Sequence, residues 1–268
     1  MSSIAYATSR DGTQIGFDRT GDGPPLVLIH GTSADRTRWA PVRPMLEEHY
    51  TVYAVDRRGR GLSGDAPKYA LEREYEDAAA VIEAVAGAAG SSVDVFGHSY
   101  GALVAMEAAL QTTHVRRLAL YEPPVPTGVP LYEEGLQGRL ETLLERGDRE
   151  GALVAFFREV VGLSDADMAA MKAAPSWPAR IAAAHTIPRE FADGDYVLDP
   201  ARLARITQPV LLLAGTESEP FLKRATEAVA EALPNSRVEL MEGQGHVATT
   251  TAPDLVARLV VAFLNSPG

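Results

Sequence analysis

Short apolar segments recur along the chain and predict buried β-strands. Most are continuous hydrophobic runs rather than alternating ones, which is typical of parallel strands that are covered on both faces. Two further strand-like segments, 4–10 and 14–20, flank the pair Asp11-Gly12, and such a pair between strands is typical of a β-hairpin. The apolar runs lie at 26–29, 51–55, 93–96, 118–121, 210–214 and 238–241.

Helical patterns separate the later strands. They lie at 71–89, 101–111, 221–233 and 253–264. Gly90 is expected to end the first of these helices as its C-cap, since glycine adopts the left-handed conformation needed there. Strands that alternate with helices in this way predict a doubly wound, mostly parallel sheet with helices on both faces.

One long segment interrupts this alternation, between the strand that ends at 121 and the strand that begins at 210. It opens with a proline-rich stretch and continues with short helical patterns, among them 132–146 and 151–161. The segment is too long for a crossover and too helical for a loop. We therefore predict a helical cap inserted at 123–195, with a separate small domain as the alternative. The core would then consist of 1–122 and 196–268.

Composition excludes several classes of function. The 268 residues suffice for one large domain, and the absence of cysteine excludes a disulfide framework, a cysteine nucleophile and thiolate metal ligands. The net charge of −11 is expected to repel nucleic acid and anionic lipid. It would weigh against strongly anionic substrates only if it extends to the pocket.

The sequence pattern predicts neither a membrane span nor a secretory signal. No apolar run approaches the roughly 20 residues of a membrane span. The first residues lack the basic start and long apolar run of a secretory signal. The sequence therefore predicts a cytoplasmic protein with a small-molecule substrate, without nucleic-acid or membrane partners. Association into a homodimer is left open.

The strongest chemical motif is Gly97-His98-Ser99-Tyr100-Gly101, which follows a predicted strand and opens a predicted helix. A serine on such a sharp turn is held in a strained conformation, and only glycine-sized residues fit two positions before and after it. The turn would lift the Ser99 hydroxyl clear of the sheet, as a nucleophile requires. A purely structural glycine-rich turn is the alternative.

A serine nucleophile needs a general base. His246 follows the final predicted strand, at the end of a parallel sheet where active sites form, and is predicted to be that base. The side chain of His98 is expected to point away along the turn, and His30 is expected to shape its loop. The other three histidines have no motif context and are expected at the surface: His49, His114 and His185.

Acyl transfer also needs hydrogen-bond donors for the oxyanion. One predicted donor is the backbone N–H of Tyr100, directly after the nucleophile. The other is the backbone N–H of Thr32, in the loop that follows the strand at 26–29. Gly31 would let the chain turn tightly there.

Four motifs occur in the order and with the spacing that are typical of the α/β-hydrolase fold family. They are His30-Gly31, the segment 56–63, the Ser99 motif and the segment 243–246. The chain resembles the cap-bearing branch, which holds small esterases, enol-lactonases, C–C bond hydrolases and cofactor-free haloperoxidase-like perhydrolases. The resemblance implies an eight-stranded, mostly parallel sheet with an inserted helical cap, and serine-hydrolase chemistry without a cofactor. It also implies that the loop at 56–63 is structural.

The acid residue departs from the common pattern of this family. Such hydrolases usually carry an aspartate three residues after the glycine that ends the seventh strand, and Ser218 stands at that position, next to Glu217. A second acid site known in the fold, used by some haloalkane dehalogenases, corresponds here to Glu122. A carboxylate at the end of an apolar strand needs a partner, which a protonated His246 would supply. We predict Glu122 as the acid, with Glu217 and the absence of a functional acid left open.

The sequence thus predicts a serine hydrolase that cleaves a small ester, lactone or related carbonyl compound. Ser99 would attack the carbonyl, His246 would transfer the proton and Glu122 would support the histidine. Neither a cofactor nor a metal ion is expected. Two other functions stay open: a lyase or cofactor-independent oxygenase that uses the same serine and histidine, and a non-catalytic ligand-binding member of the fold.

Overall fold

The computed structural model describes residues 3–128, 133–192 and 196–266. Within these ranges, eight strands form one sheet: β1 (Ser3–Thr8), β2 (Gln14–Thr20), β3 (Pro25–Ile29), β4 (Thr51–Val55), β5 (Val93–His98), β6 (Val115–Tyr121), β7 (Val210–Gly215) and β8 (Ser236–Met241). Their order across the sheet is β1-β2-β4-β3-β5-β6-β7-β8. The pairs β1–β2 and β2–β4 are antiparallel, and the other neighbours are parallel. The predicted mostly parallel, eight-stranded sheet is confirmed.

The first two strands form the hairpin that the Asp11-Gly12 pair predicted. Gly12 adopts a φ of +87°, a left-handed conformation that favours glycine. The Asp11 side chain accepts a hydrogen bond from the backbone N–H of Thr13 at 2.9 Å, which tightens the turn. The hairpin adds the two antiparallel strands at one edge of the sheet.

Helices cover both faces of the sheet, as predicted. They are α1 (Arg43–Glu47), α2 (Leu71–Ala89), α3 (Tyr100–Ala108), α4 (Leu136–Glu145), α5 (Arg149–Glu159), α6 (Asp165–Ala173), α7 (Trp177–Ala183), α8 (Ile187–Ala192), α9 (Pro200–Leu203), α10 (Pro220–Ala232), α11 (Ala248–Thr251) and α12 (Pro253–Leu264). Helices α2, α3 and α10 share a core with one face, and α1 and α12 share a core with the other. Gly90 caps α2 with a φ of +66°.

The parallel strands are apolar on both faces because each face carries its own core. In β3, Val27 and Ile29 belong to the cluster beneath α2 and α3, whereas Leu26 and Leu28 belong to the cluster beneath α1 and α12. Side chains of successive strand residues point to opposite faces, so a strand covered on both sides reads as a continuous hydrophobic run.

Between β6 and β7, helices α4 to α8 build a third core of their own, which includes Phe156, Phe157 and Met171. The predicted helical pattern at 132–146 begins as a helix only at Leu136. Residue 132 and the predicted last residues of the insertion, 193–195, lie outside the described residues. The boundaries 123–195 therefore stay a prediction.

Parallel pairing brings the carboxyl ends of the central strands to one edge. His98 at the end of β5 is in register with Tyr121 at the end of β6, and Gly215 at the end of β7 is in register with Met241 at the end of β8. The residues that follow these strands therefore emerge side by side, where ligand sites of open α/β sheets form.

Candidate active site

Ser99 lies on a strained turn between β5 and α3. Its φ of +56° and ψ of −130° are rare for a non-glycine residue, and such strain is typical of functional sites. A side chain at Gly97 would bring its Cβ within 2.6 Å of Ala102 Cα, and one at Gly101 would overlap the carbonyl oxygen of His30. The two glycines therefore let strand, helix and neighbouring loop meet at the serine.

The loop after β3 packs directly against this turn. A Cβ atom at Gly31 would lie 2.9 Å from Ser99 Cβ, so glycine is required for the close approach. Thr32 and Ser99 line the same cavity. Ser33 adopts a φ of +52°, which marks the sharp reversal of the loop. The loop thus runs beside the serine, where the sequence predicted an oxyanion donor. Tyr100 is the first residue of α3, so its backbone N–H has no acceptor within that helix.

His246 and Glu122 form a buried hydrogen-bonded pair. His246 Nδ1 lies 2.5 Å from Glu122 Oε2, and Glu122 is fully buried. With Nδ1 donating to a carboxylate, Nε2 is the nitrogen left to accept a proton. His246 and Ser99 line the same cavity. The structure therefore brings together the predicted nucleophile, base and acid.

Glu122 is held rigidly at the end of β6. It has a φ of +48°, its backbone N–H donates to the carbonyl of Leu213, and its Oε1 accepts the backbone N–H of Gly215 at 2.8 Å. The alternative acid, Glu217, is exposed to solvent. Ser218, three residues after Gly215, is buried, and its hydroxyl has no partner among the described residues.

His98 packs against His246, and the expectation that its side chain points away from the site is wrong. Its ring lies 4.6 Å from the ring of His246, centroid to centroid, and its Nε2 lies 2.8 Å from the His246 carbonyl oxygen. A guanidinium nitrogen of Arg38 donates to its Nδ1, so Nε2 carries the proton and donates it to that carbonyl. Burial, with the Arg38 charge second, lowers the pKa of His98 well below its usual value and keeps the ring neutral.

Tyr121 anchors the loop that carries His246. Its hydroxyl donates to the carbonyl of Gly245 and accepts the backbone N–H of Ala248 at 3.3 Å. These two contacts lie on either side of His246 in sequence. Because Tyr121 immediately precedes Glu122, the end of one strand holds both the Glu122 carboxylate and the loop of His246.

The other histidines do not take part in the site. His30 is fully buried, donates from Nδ1 to the Gly31 carbonyl at 2.9 Å, and accepts the backbone N–H of Arg57 at Nε2. It shapes its loop, as predicted. The three predicted surface histidines are exposed: His49, His114 and His185.

The loop at 56–63 is fixed by buried charge pairs. Asp56 accepts from Arg36 Nη1 at 2.6 Å and from the backbone N–H of Leu62 at 2.7 Å. Arg57 pairs with Glu74 of α2 and with Glu190 of α8. These contacts connect the helices of the insertion to the core at the rim of the site, in line with a structural role for this loop.

A narrow cavity of about 30 Å³ lies over Ser99. It is bounded by the serine turn, the loop after β3, the loop of His246 and the helices of the insertion. Its lining residues are Gly31, Thr32, Ala34, Arg38, His98, Ser99, Phe156, Phe157, Val161, Met171, Arg180, His246 and Val247. The lining contains two ionised side chains, and both are arginines.

Three residues that shape this site were not predicted from the sequence: Arg38, Tyr121 and Arg180. Tyr121 could have been suspected, because it shares a strand end with the predicted acid. Arg38 stands close after the predicted oxyanion loop, which is a weak signal. Nothing in the sequence around Arg180 indicates that it reaches this cavity.

Two further features of the described residues bear on function. Among them, no group of three or more histidine, aspartate or glutamate side chains is arranged to hold a metal ion. None of the described helices is long and apolar enough to span a membrane.

Comparison with known proteins gives concordant matches. A model for the "Alpha/beta hydrolase family" matches residues 26–259. The chain is 29% identical over 242 residues to N-formylmaleamate deformylase of Pseudomonas putida, with 85% of this chain and 83% of that protein covered. It is 27% identical over 250 residues to (E)-2-((N-methylformamido)methylene)succinate hydrolase of Acinetobacter baylyi, with 92% of each covered. An alpha/beta hydrolase structure from Sphaerobacter thermophilus superimposes with a TM-score of 0.83 at 40% identity, covering 97% of this chain and 100% of that chain.

Proposed function

Because the chain belongs to the alpha/beta hydrolase family and is a hydrolase, we propose that Ser99, His246 and Glu122 act as its catalytic triad. The reaction is the hydrolysis of a small ester or amide through an acyl-enzyme on Ser99. The hydrogen bond of 2.5 Å between His246 Nδ1 and Glu122 Oε2, beside the strained Ser99, carries this proposal.

Each residue has a distinct role in the proposed mechanism. Ser99 Oγ attacks the substrate carbonyl while His246 Nε2 takes the hydroxyl proton. Glu122 stabilises the resulting imidazolium through Nδ1. Backbone N–H groups of Tyr100 and Thr32 donate to the oxyanion of the tetrahedral intermediate. His246 then protonates the leaving alcohol or amine, and water repeats the sequence on the acyl-enzyme to release the acid.

Two supporting residues hold the base in place. His98 donates from Nε2 to the backbone carbonyl of His246, and Tyr121 bridges the residues on either side of it. His246 is thereby held through both its side chain and its backbone. These contacts limit motion that would move the imidazole out of alignment with Ser99. We propose that helices α4 to α8 act as a cap that closes the cavity over the serine.

The names of the two relatives extend the choice of substrates. One is named for N-formylmaleamate and the other for an N-methylformamido succinate, so both names contain a formyl amide. We therefore propose that the scissile bond is an ester or an N-formyl amide, and that assays should include both.

The decisive experiment combines covalent labelling with turnover. A fluorophosphonate is expected to modify Ser99, located by mass spectrometry, and the wild type is expected to hydrolyse a short p-nitrophenyl ester or an N-formyl amide. Ser99→Ala is expected to lose labelling and at least about 1,000-fold of the turnover. Labelling of Ser99 without hydrolysis of any ester or amide would contradict the proposal and favour the lyase chemistry.

A further inference from the structure

Two buried arginines share the cavity of Ser99. Arg38 comes from the turn before α1 and is 5% exposed, and Arg180 comes from α7 of the insertion and is 6% exposed. Buried charged side chains are rare unless they are paired, because moving an ion out of water costs several kcal/mol. The hydrogen-bond and ion-pair partners of Arg38 and Arg180 therefore indicate which kind of ligand the cavity binds.

Neither guanidinium has a carboxylate partner among the described residues. Arg38 donates to the Thr249 hydroxyl at 2.7 Å and to His98, both neutral groups. Arg180 makes one long hydrogen bond of 3.4 Å to the carbonyl of Ser33. The Nε atom of each arginine is buried and has no hydrogen-bond partner in the described part of the chain.

Other buried arginines of this protein are treated differently. Arg57 lies 2.8 Å from Glu74, Arg58 lies 2.6 Å from Asp77, and Arg60 pairs with Glu190. One further buried arginine, Arg117, also lacks an ion-pair partner among the described residues, but its guanidinium donates to the backbone carbonyls of Leu264 and Ser266. Two arginines without a carboxylate, in the cavity that also holds the proposed nucleophile and base, require another explanation.

Both ionised side chains that line the cavity are positive, and neither forms an ion pair with a carboxylate of the described residues. Burial, followed by the charge of Arg180, lowers the pKa of Arg38 to about 9. Burial lowers the pKa of Arg180 to about 10, and the nearby Asp35 opposes this decrease without bonding to Arg180. Both side chains therefore remain cations at neutral pH, and the net charge of −11 of the whole chain does not extend into this cavity.

We propose that the substrate carries a carboxylate close to its scissile carbonyl and that Arg180 binds this carboxylate, with Arg38 as the neighbouring positive charge. A planar guanidinium matches a carboxylate with paired hydrogen bonds. The inference deepens the proposed function and rests on it, since the same cavity must place the carbonyl at Ser99.

Arg180 is the better residue for a test. Arg38 contacts His98, which in turn contacts His246, so replacing Arg38 would also disturb the base. Arg180 forms no hydrogen bond with either histidine, and its one hydrogen bond is to the carbonyl of Ser33. Its guanidinium lies over the ring of Phe157 at 5.5 Å, which fixes its position on the side of the cavity formed by the insertion.

The experiment compares a charged ester with a neutral ester of similar shape. Monoethyl fumarate carries a carboxylate where ethyl crotonate carries a methyl group, and the trans double bond prevents the acid from attacking its own ester. Arg180→Gln is expected to lower kcat/KM for monoethyl fumarate about 100-fold, and the loss for ethyl crotonate is expected to be at least about tenfold smaller. Arg180→Lys, which keeps the charge, is expected to retain an intermediate rate. Arg149→Gln, at an exposed arginine of α5, serves as the control for removing a cap charge.

A binding measurement separates this inference from the proposed function. Calorimetry with the Ser99→Ala variant is expected to detect binding of monoethyl fumarate. The double variant Ser99→Ala, Arg180→Gln is expected to lose this binding. If the wild type hydrolyses neither ester but this binding pattern holds, the carboxylate site stands and the proposed function fails for esters. Equal losses on both esters in Arg180→Gln, or carboxylate binding that Arg180→Gln does not weaken, would overturn the inference.

Discussion

Glu122 Oε2 lies 2.5 Å from His246 Nδ1, although 124 positions separate the two residues in the sequence. The contact depends on three strand ends that the sheet places side by side. Glu122 follows β6, its second oxygen accepts the backbone N–H of Gly215 at the end of β7, and His246 lies in the loop after β8. The carboxylate therefore has a fixed position and faces the base with one oxygen.

The first prediction tests which carboxylate supports the base. Glu122→Gln keeps the size of the side chain but removes the charge that stabilises the imidazolium, so kcat is expected to fall about 1,000- to 10,000-fold. Steady-state kinetics on the ester or amide found for the wild type would measure this effect. Glu217→Gln is the matched control, because Glu217 is the exposed alternative, and its kcat is expected to stay within about twofold. The reverse pattern would refute the assignment of Glu122.

Site residues could be predicted from the sequence where a short local pattern determines the position of the side chain. The glycines around Ser99 and the apolar strand before Glu122 are local features, and each fixes where one side chain emerges from the sheet. The side chain of His98 was misplaced because its direction depends on Arg38, which lies 60 positions away in the sequence. Arg180 was not found at all, because its approach to the cavity depends on how the helices of the insertion pack together.

A second prediction concerns Gly101, two residues after Ser99. Gly101→Ala would place a methyl group against the backbone carbonyls of Ile29 and His30, which cannot move without breaking β3. We expect a loss of unfolding free energy of about 3 kcal/mol or more, together with loss of activity. Gly87→Ala is the control, since a Cβ there meets nothing within 4 Å and the site is an exposed position of α2. It should gain about 0.5–1 kcal/mol in urea denaturation. Equal stabilities of the two variants would contradict the packing argument.

A third prediction addresses the buried hydroxyl of Tyr121. Tyr121→Phe removes the donor to the Gly245 carbonyl and the acceptor for the Ala248 N–H, so that only the hydrogen bond of 3.3 Å from the Ala248 N–H to the Gly245 carbonyl remains between them. The expected cost is about 1–3 kcal/mol of unfolding free energy, with a decrease in kcat as the loop of His246 loosens. Tyr75→Phe is the matched control, because the buried hydroxyl of Tyr75 has no partner in the described part of the chain. That variant should be neutral or slightly stabilised, and a larger loss there than at Tyr121 would argue against the anchoring role.

The fourth prediction follows from the buried charges that join the insertion to the core. Glu74 of α2 pairs with Arg57 and lies near Arg60, and Glu190 of α8 pairs with both arginines. Burial opposes ionisation of Glu74, but the positive charges of Arg57 and Arg60 outweigh it and lower the pKa of Glu74 to about 2. Because this pKa is lower in the folded than in the unfolded chain, the carboxylate stabilises the fold above about pH 4.5.

This stabilisation is lost as the pH falls from about 5 towards 2, where Glu74 becomes protonated in the folded protein as well. Glu74→Gln is expected to lower the unfolding free energy near pH 7 by roughly 3–5 kcal/mol, since it leaves buried arginine charge under-compensated. The difference from the wild type should shrink steadily between about pH 5 and the acid limit of folding. Urea denaturation at several pH values measures both quantities. Glu72→Gln, at an exposed position of the same helix, should show neither effect. A gap between wild type and Glu74→Gln that stays constant with pH would show that the ionised carboxylate is not what stabilises this junction.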